Sequence, residues 1–355
     1  MSQLTISNSI LDTIGSTPLV KLNKIIPQNL SHHQFFAKME YFNPGGSIKD
    51  RIALAMVEAA EKRGELKPGG TIVEATAGNT GLGLALVAAV KGYKCIFVLP
   101  AKMSGEKRAL LRAYGARVII TPIGVEPEDP RSHYSVAKRI AASIREKTNN
   151  CFYSNQYHNL DNMELHYNMT GPELWNQTNG EIDVVAAGVG TGGTLSGVSK
   201  FLKEKNKDIK IICTDPVGSI LYDLYYHGKV VDPPGSYKVE GVGEDMLPDN
   251  CKLGLFDDFV KVNDQEAFSF TRKLATEEGL CVGPSSALIL VGAMKYAATL
   301  TKPSKIIVFM PDSGKSYLSK VFNDQWMVEN KLETEENMKA AFNIEVMAEE
   351  EMKNY

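Results

Sequence analysis

Several features are scarce or absent in this 355-residue sequence. The five cysteines are an odd number and widely scattered, which predicts reduced thiols in a protein core rather than a disulfide framework. The six histidines show no metal-ligand spacing, so no metal site is expected. The longest apolar stretch, residues 82–90, is about half a membrane span, and a net charge of -3 offers nucleic acid no basic patch. The N-terminus has no signal-peptide pattern, so we expect a cytoplasmic protein.

Short β-rich runs, glycine loops and helical periodicity follow one another along much of the chain. Continuous rather than alternating apolar runs predict strands that are covered on both faces. Repetition of strand, loop and helix predicts an α/β fold with parallel sheets, and 43% hydrophobic residues over this length suggest two domains. The strands are predicted at residues 71–74, 94–99, 117–120, 183–187, 210–213 and 305–310.

Lys49 is the first candidate for chemistry. It follows the tight turn Asn-Pro-Gly-Gly at 43–46, and Ser47 and Asp50 match a helix capping box that opens an amphipathic stretch from Ile48 to Lys62. The first turn of a helix disfavours a positive charge, and burial lowers a lysine pKa in the same direction. A partly neutral lysine is a nucleophile suited to Schiff-base chemistry, whereas an ordinary lysine here would be solvated.

Residues 76–81, Thr-Ala-Gly-Asn-Thr-Gly, form the first of three glycine-rich loops. The loop leaves a predicted strand and enters the predicted helix 82–90. Backbone amides and hydroxyl groups at a helix start make an anion site, and Asn79 adds a neutral side chain that donates or accepts hydrogen bonds. A simple tight turn is the alternative interpretation.

Residues 188–194, Gly-Val-Gly-Thr-Gly-Gly-Thr, form the second loop, between a predicted strand and the predicted helix 195–204. Its small residues let the backbone wrap closely around a phosphate. The glycines at 188, 190 and 193, with Asp215 about 20 residues on, also match a dinucleotide fingerprint. The hydroxyls of Thr191 and Thr194 suit a terminal phosphate monoester, so both a phosphate cradle and an NAD site remain open from the loop alone.

Residues 283–287, Gly-Pro-Ser-Ser-Ala, form the third loop and enter an apolar helix. Ser285 is either a helix cap or a ligand-facing hydroxyl. The nearby Gly314-Lys315-Ser316 resembles the end of a P-loop, but Phe309 stands where the first glycine is required. ATP binding at that segment is therefore not expected.

The four motifs in this order resemble the cystathionine β-synthase and cysteine synthase family of fold type II pyridoxal-phosphate enzymes. The resemblance runs from Leu11 to about Met327 and so covers nearly the whole chain. It implies an α/β fold of the tryptophan synthase β type, with two open parallel-type α/β domains and the active site between them. Residues 1–44 and 158–330 would form a large cofactor-binding domain, and 45–157 a smaller mobile domain that carries the substrate carboxylate loop. Residues 331–355 would be an acidic tail.

The resemblance also implies a role for each motif around pyridoxal 5'-phosphate. Lys49 would bind the cofactor as an internal aldimine and then carry the Cα proton of the substrate. Asn79 would bond the ring hydroxyl, and Ser285 would face the pyridine nitrogen, where a serine leaves the ring unprotonated and favours β-elimination. The phosphate would be held by Gly190, Thr191, Gly192, Gly193 and Thr194.

The same resemblance assigns the substrate-binding residues. The loop Thr76, Ala77, Gly78, Asn79 and Thr80 would hold the amino-acid carboxylate together with Gln156. Glu240 and Gly241 would line the site near the substrate Cα.

The implied reaction is β-replacement through an aminoacrylate, in which L-serine or an activated serine and L-homocysteine give L-cystathionine. Cysteine synthase activity, from O-acetylserine and sulfide, is the near alternative, and sulfide release from cysteine is chemically open. From a different class, an NAD-dependent oxidoreductase would use the second loop but would leave Lys49 and Asn79 unexplained. A non-catalytic binding protein on the same fold is a third possibility. A homodimer acting on small amino acids, without nucleic acid or membrane partners, is also implied.

Some positions depart from the family pattern. Ala77 stands where the family usually has serine, and Glu244 where animal cystathionine β-synthases have tyrosine. The first cysteine is Cys95, so we expect no N-terminal haem module. Residues 328–355 are too few for a paired regulatory module, so an unregulated catalytic core is expected.

Overall fold

The computed structural model describes residues 6–76, 78–101, 105–126 and 128–333. Ala77 and the predicted tail beyond residue 333 lie outside these ranges. Within them, no helix is long and apolar enough to cross a bilayer. All five cysteines are free, and four of them are buried as predicted.

The described residues form two sheets and the helices around them. In chain order, the strands are β1 (Leu19–Lys21), β2 (Gln34–Met39), β3 (Thr71–Glu74), β4 (Lys94–Pro100), β5 (Arg117–Thr121), β6 (Cys151–Tyr153), β7 (Val184–Gly188), β8 (Lys210–Pro216), β9 (Asp258–Val262) and β10 (Lys305–Met310). The α-helices are α1 (Lys49–Lys62), α2 (Asn79–Lys91), α3 (Gly105–Ala113), α4 (His133–Thr148), α5 (Asp161–Leu165), α6 (Gly171–Gln177), α7 (Gly193–Lys205), α8 (Leu221–His227), α9 (Asp264–Glu278), α10 (Pro284–Ala297) and α11 (Asp324–Glu329).

The larger sheet has the strand order β1-β2-β10-β7-β8-β9, and the smaller sheet has the order β5-β4-β3-β6. Every neighbouring pair is parallel except β1 and β2. The fold is therefore α/β with parallel sheets, as the sequence predicts. Strand β10 lies between β2 and β7, so the centre of the larger sheet is completed by a distant part of the chain.

Both sheets are covered by apolar side chains on their two faces. The core of the larger sheet includes buried residues of β7, β8, β10 and α10, such as Val185, Ile212, Ile307 and Leu290. The smaller sheet packs one face against α1 and α2 and the other against α4. The continuous apolar runs of the sequence arise because parallel strands are buried on both faces.

The chain passes between the sheets twice, first between β2 and β3 and then between β6 and β7. Residues that are far apart in the sequence therefore meet where the carboxyl ends of the strands face each other, which is where open parallel sheets bind ligands. The domain boundaries given by the resemblance stay a prediction.

The predicted capping box at the start of α1 is wrong in its details. The helix begins at Lys49, and its N-cap residue, Ile48, makes no side-chain cap bond. The Ser47 hydroxyl accepts from the Lys49 amide at 3.2 Å, and the Asp50 carboxylate turns back to the Gly45 amide at 2.6 Å. The Asp50 carboxylate therefore bonds to the tight turn before the helix. Lys49 lies in the first turn of the helix, as predicted.

Candidate active site

A cavity of about 410 Å³ lies between the two sheets. It is lined by the two segments that connect the sheets, one between β2 and β3 and one between β6 and β7, and by the loops that follow β3 and β7. The predicted site residues that line it are Lys49, Thr76, Gly78, Asn79, Thr80, Gln156, Gly190, Thr191, Glu240 and Gly241. Segments separated by nearly two hundred residues therefore meet at one cavity.

Lys49 is the candidate nucleophile. Its side chain faces the cavity and also lines a smaller adjoining one beside the second glycine loop. Burial lowers the pKa of the Lys49 amine, while the carboxylates of Glu244 and Asp312 act in the opposite direction. The position at the start of α1 adds the positive end of a helix dipole, which also disfavours the ammonium form. The amine is thus prepared to act as a nucleophile.

The first glycine loop runs from the end of β3 into α2, whose first residue is Asn79. The N-cap is Gly78, and no side chain caps the helix, so its first amides have no intrahelical acceptor. The Thr80 hydroxyl donates to Gln156 Oε1 at 2.5 Å, which ties this helix start to the segment after β6. Free amides and hydroxyl groups at a helix N-terminus make a site for a carboxylate.

Asn79 is held by a partner that the sequence did not suggest. Its side-chain amide donates to Asp312 Oδ2 at 2.8 Å, and the Tyr317 hydroxyl donates to the same oxygen at 2.7 Å. Asp312 follows β10 and is buried. The bond fixes the orientation of Asn79 across the gap between the two sheets.

The second glycine loop wraps tightly into the start of α7. Gly192 has a φ of +84°, and a Cβ there would lie 2.5 Å from the Cα of Cys251. A Cβ at Gly190 would lie 2.6 Å from the carbonyl oxygen of Gly241. Only glycine fits such contacts, and the result is a tightly wound loop that lines the smaller cavity at a helix N-terminus, where backbone amides bind anions.

Two further residues position the hydroxyl groups of this loop. The Asn162 side chain donates to Thr191 Oγ1 at 2.9 Å, and His166 Nε2 lies 3.1 Å from Thr194 Oγ1. Burial lowers the pKa of His166, with Arg51 and Lys49 acting in the same direction. A neutral imidazole and an amide therefore hold the threonines. The sequence analysis missed both residues. They belong to helical segments before the loop, and no motif in the sequence marks them.

Glu244 lies on the cavity wall beside the second loop. A Cβ built on Gly190 would be 3.8 Å from its Oε1, and the Tyr157 hydroxyl forms a hydrogen bond with its carboxylate. Burial raises the pKa of Glu244 to about 8, and Asp245 acts in the same direction. Glu244, which stands where animal cystathionine β-synthases have tyrosine, thus places a carboxyl group near Lys49. Each of the two groups shifts the pKa of the other.

Of the predicted residues, Gly192 and Thr194 line only the smaller cavity, and Gly193, Ser285 and Asp215 line neither. Ser285 is the second residue of α10, is 3% exposed, and is not among the described residues that line either cavity. Asp215 is buried at the end of β8 and accepts from the Tyr222 amide at 3.1 Å. The carboxylate of the dinucleotide fingerprint is therefore engaged with the protein backbone, which removes the support for the NAD interpretation.

A lysine amine with a lowered pKa and an amide-lined helix start at one cavity define a class of enzyme. They suit a cofactor that has both an aldehyde, which bonds to the amine, and a phosphate, which the helix start binds. The family model for pyridoxal-phosphate dependent enzymes matches residues 10–312. The chain belongs to the pyridoxal-phosphate dependent enzymes, within the cystathionine β-synthase and cysteine synthase family. Its fold is type II, and the family is one of pyridoxal-phosphate enzymes rather than the NAD-dependent oxidoreductases that the second loop alone also allowed.

Similar proteins include both activities that the sequence raised. The chain is 44% identical to cystathionine β-synthase of Apis mellifera over 90% of its own length and 62% of that protein. It is 42% identical to cysteine synthase of Staphylococcus aureus over 90% of its length and 97% of that protein. A hydrogen sulfide-producing enzyme of Fusobacterium nucleatum superposes with a TM-score of 0.79 at 36% identity, over 89% of this chain and 99% of that one. The chain thus spans less than two thirds of the honeybee relative.

Proposed function

We propose that this protein catalyses β-replacement, in which L-serine or an activated serine reacts with L-homocysteine to give L-cystathionine. The observation that carries the proposal is that Lys49, the described residues of the loop at 76–80, and Gly190 and Thr191 line a single cavity. Gly192 and Thr194 line the smaller cavity that adjoins it. Similarity to a cystathionine β-synthase over 90% of the chain supports the choice of reaction.

The residues around the cavity fit pyridoxal phosphate. Its phosphate would be held by the amides of 190–194 and by the hydroxyls of Thr191 and Thr194, which Asn162 and His166 orient. Asn79 would hold the ring hydroxyl while Asp312 keeps its amide in place. When bound, the cofactor supplies the carbonyl that reacts with amines and the ring that withdraws electrons from the substrate Cα. Ser285 opposite the pyridine nitrogen stays a prediction.

The protein side of the mechanism follows from the positions of the polar groups. The α-carboxylate of the first substrate would bind the amides and hydroxyls of residues 76–80 and Gln156, with Ala77 outside the described residues. The Lys49 amine would accept the Cα proton of the substrate at Nζ and return one later. A lowered pKa favours that role because the amine must be neutral to accept a proton.

Cysteine synthase activity is the second candidate. Similarity to a bacterial cysteine synthase over 97% of that protein's length favours it. Both reactions need the same residues up to the arrival of the nucleophile, so the two candidates differ in the groups that recognise the nucleophile and the leaving group. Cytoplasmic location and a homodimer also stay predictions, and sedimentation of the purified protein would measure the oligomeric state.

The decisive experiment is product identification with competing substrates. The holoenzyme, checked for bound cofactor by its absorbance, is supplied with serine or O-acetylserine and with homocysteine and sulfide in one vessel. We expect mass spectrometry to find cystathionine as the main product. Predominant cysteine from O-acetylserine would instead make the protein a cysteine synthase, and no product from the loaded enzyme would overturn both candidates.

A further inference from the structure

Asn162 bonds to two parts of the candidate site that belong to different segments of the chain. Its side-chain nitrogen donates to the backbone carbonyl of Gln156 at 3.0 Å and to Thr191 Oγ1 at 2.9 Å. An amide nitrogen carries two hydrogens, so these two bonds use both of its donors. Gln156 belongs to the proposed carboxylate site and Thr191 to the proposed phosphate site. One buried amide group therefore joins the two sites.

The surroundings of Asn162 leave its side chain little freedom to move. It lies in the short helix α5, which packs against α7, and it is 1% exposed. A Cβ at Gly193, the first residue of α7, would overlap the Asn162 side-chain oxygen. Both hydrogens of the nitrogen have acceptors, so turning the amide over would lose both bonds. Packing on one side and hydrogen bonds on the other therefore fix its orientation.

Gln156 is held at its backbone by Asn162 and at its side chain by the first glycine loop. Its Oε1 accepts from the Thr80 hydroxyl at 2.5 Å, and both residues line the cavity. A second buried amide, Asn250, donates to the same Gln156 carbonyl at 3.1 Å and to the Tyr157 carbonyl at 3.0 Å. Among the described residues, the Asn250 side chain does not bond to the second glycine loop. The link to that loop therefore runs through Asn162.

We propose that Asn162 couples the binding of the amino-acid substrate to the binding of the cofactor phosphate. Asn162 is not among the described residues that line either cavity, so it would act as a positioning residue. Because its nitrogen donates to the Thr191 oxygen, the Thr191 hydroxyl keeps its own proton for the phosphate. The inference rests on the proposed function and deepens it, since it connects the two sites which that function requires.

The physical reason for the coupling is that both bonds start from one rigid planar group. If the Gln156 carbonyl shifts when a carboxylate binds, the Asn162 amide must follow or lose a bond. A buried donor without an acceptor is costly, so following is favoured, and the shift reaches the Thr191 hydroxyl. Coupling between two binding sites is reciprocal. A change at the phosphate site should therefore alter the affinity for the amino acid.

Equilibrium binding of L-alanine measures the coupling without turnover. L-alanine carries the amino and carboxylate groups of serine but has no leaving group, and its binding is followed by the absorbance of the cofactor. Thr191→Val, assayed at saturating cofactor, should weaken L-alanine binding by about 3-fold to 10-fold. The reason is that the substitution removes one acceptor of the Asn162 amide, which then holds the Gln156 carbonyl less firmly.

Thr194→Val separates coupling from a simple weakening of the cofactor. Thr194 also belongs to the proposed phosphate site, but its hydroxyl lies beside His166 rather than Asn162. We expect this variant to weaken cofactor binding as Thr191→Val does, and to weaken L-alanine binding by a smaller factor. Equal losses of L-alanine affinity in the two variants would mean that the amino acid senses the cofactor alone, and the inference would be wrong.

A double-mutant cycle identifies the route of the coupling. In Asn162→Ser, which removes both bonds, adding Thr191→Val should cause no further loss of L-alanine affinity. In Asn250→Ser, which removes a bond to the same Gln156 carbonyl, the effect of Thr191→Val should persist. Asn168→Ser, an exposed position between α5 and α6, is the surface control. Cofactor absorbance and the thermal midpoint identify any variant that fails to fold.

The outcomes separate this inference from the proposed function. If the loaded wild type binds L-alanine but Thr191→Val leaves that affinity unchanged, the inference is wrong while the function stands. This comparison needs no Asn162 variant, so it decides the matter even if Asn162→Ser does not fold. An undiminished effect of Thr191→Val in Asn162→Ser would also refute the inference. If the loaded wild type binds neither L-alanine nor L-serine, the proposed function fails and the coupling role fails with it.

Discussion

The amide of Asn79 and the carboxylate of Asp312 form a 2.8 Å hydrogen bond between residues that are 233 positions apart in the sequence. Asn79 opens α2 beside the smaller sheet, and Asp312 follows the central strand of the larger one. Burial raises the pKa of Asp312, although its bonds with Asn79 and Tyr317 oppose that effect. Asp312, which follows a strand of the larger sheet, therefore orients Asn79, the proposed contact to the cofactor.

Asp312→Ala should weaken cofactor binding and lower stability. It leaves the Asn79 amide and the Tyr317 hydroxyl without their acceptor, and an unpaired buried polar group costs about 1–3 kcal/mol. Cofactor titration by absorbance and urea unfolding measure the two effects. Asp208→Ala removes an exposed carboxylate and should change neither. Unaltered cofactor affinity in Asp312→Ala would show that Asn79 needs no fixed orientation.

Lys49→Ala should keep the fold and lose turnover by roughly a thousandfold or more, because the nucleophilic amine is removed. Borohydride treatment followed by peptide mass spectrometry should find the cofactor attached to Lys49 in the wild type and nowhere in the variant. Lys62→Ala changes an exposed lysine at the other end of the same helix and is the control. Attachment of the cofactor at another lysine would contradict the assignment.

Gly192→Ala should destabilise the second loop by roughly 2–5 kcal/mol. Its φ of +84° disfavours a side chain, and the new Cβ would overlap the backbone of Cys251. We expect a lower thermal midpoint together with weaker cofactor retention. Gly254→Ala is the matched control, because a Cβ there meets nothing within 4 Å. Similar midpoints for the two variants would mean that the loop adapts to a side chain.

Glu74 should make stability depend on pH. It is buried at the end of β3, accepts from the Asn155 amide and the Ser154 hydroxyl at 2.6 Å each, and burial raises its pKa to about 7. Between its ordinary value of 4.5 and 7, the folded protein holds a proton that the unfolded chain releases, so stability falls as pH rises.

Replacing Glu74 by Gln should remove this dependence. From about pH 5 to about pH 8, the wild type should lose on the order of 2 kcal/mol of unfolding free energy relative to the variant. Urea unfolding at several pH values measures the difference. Glu146→Gln, an exposed carboxyl on α4, should run parallel to the wild type. A constant gap between wild type and Glu74→Gln would rule out titration of Glu74 in this range.

The sequence predicted those parts of the fold that have a local signal. Buried parallel strands give continuous apolar runs, and β3, β4, β5, β7, β8 and β10 were all predicted within a few residues of their observed bounds. Strands β1, β6 and β9, each three to five residues long, were missed. Strand β2 was missed although it is largely buried, because polar residues interrupt its apolar run.

The same division holds for the candidate site. The loops at 76–80 and 190–194 could be predicted as binding loops from the sequence alone, because glycines and hydroxyl residues at the start of a helix are a local pattern. Asp312, Asn162 and His166 act only through contacts made after folding, and a single sequence does not contain those distances.

The position of β10 has a consequence for the order in which the protein is made. Strands β2 and β7 leave the ribosome long before β10, yet β10 lies between them and pairs with both. Until it emerges, the larger sheet lacks its middle strand, and Asp312 is not available to meet Asn79. The smaller sheet needs only residues 71–153 and is free to form early. Until β10 and Asp312 have emerged, the nascent chain therefore holds only half of the candidate site, and its exposed strand edges need protection from aggregation.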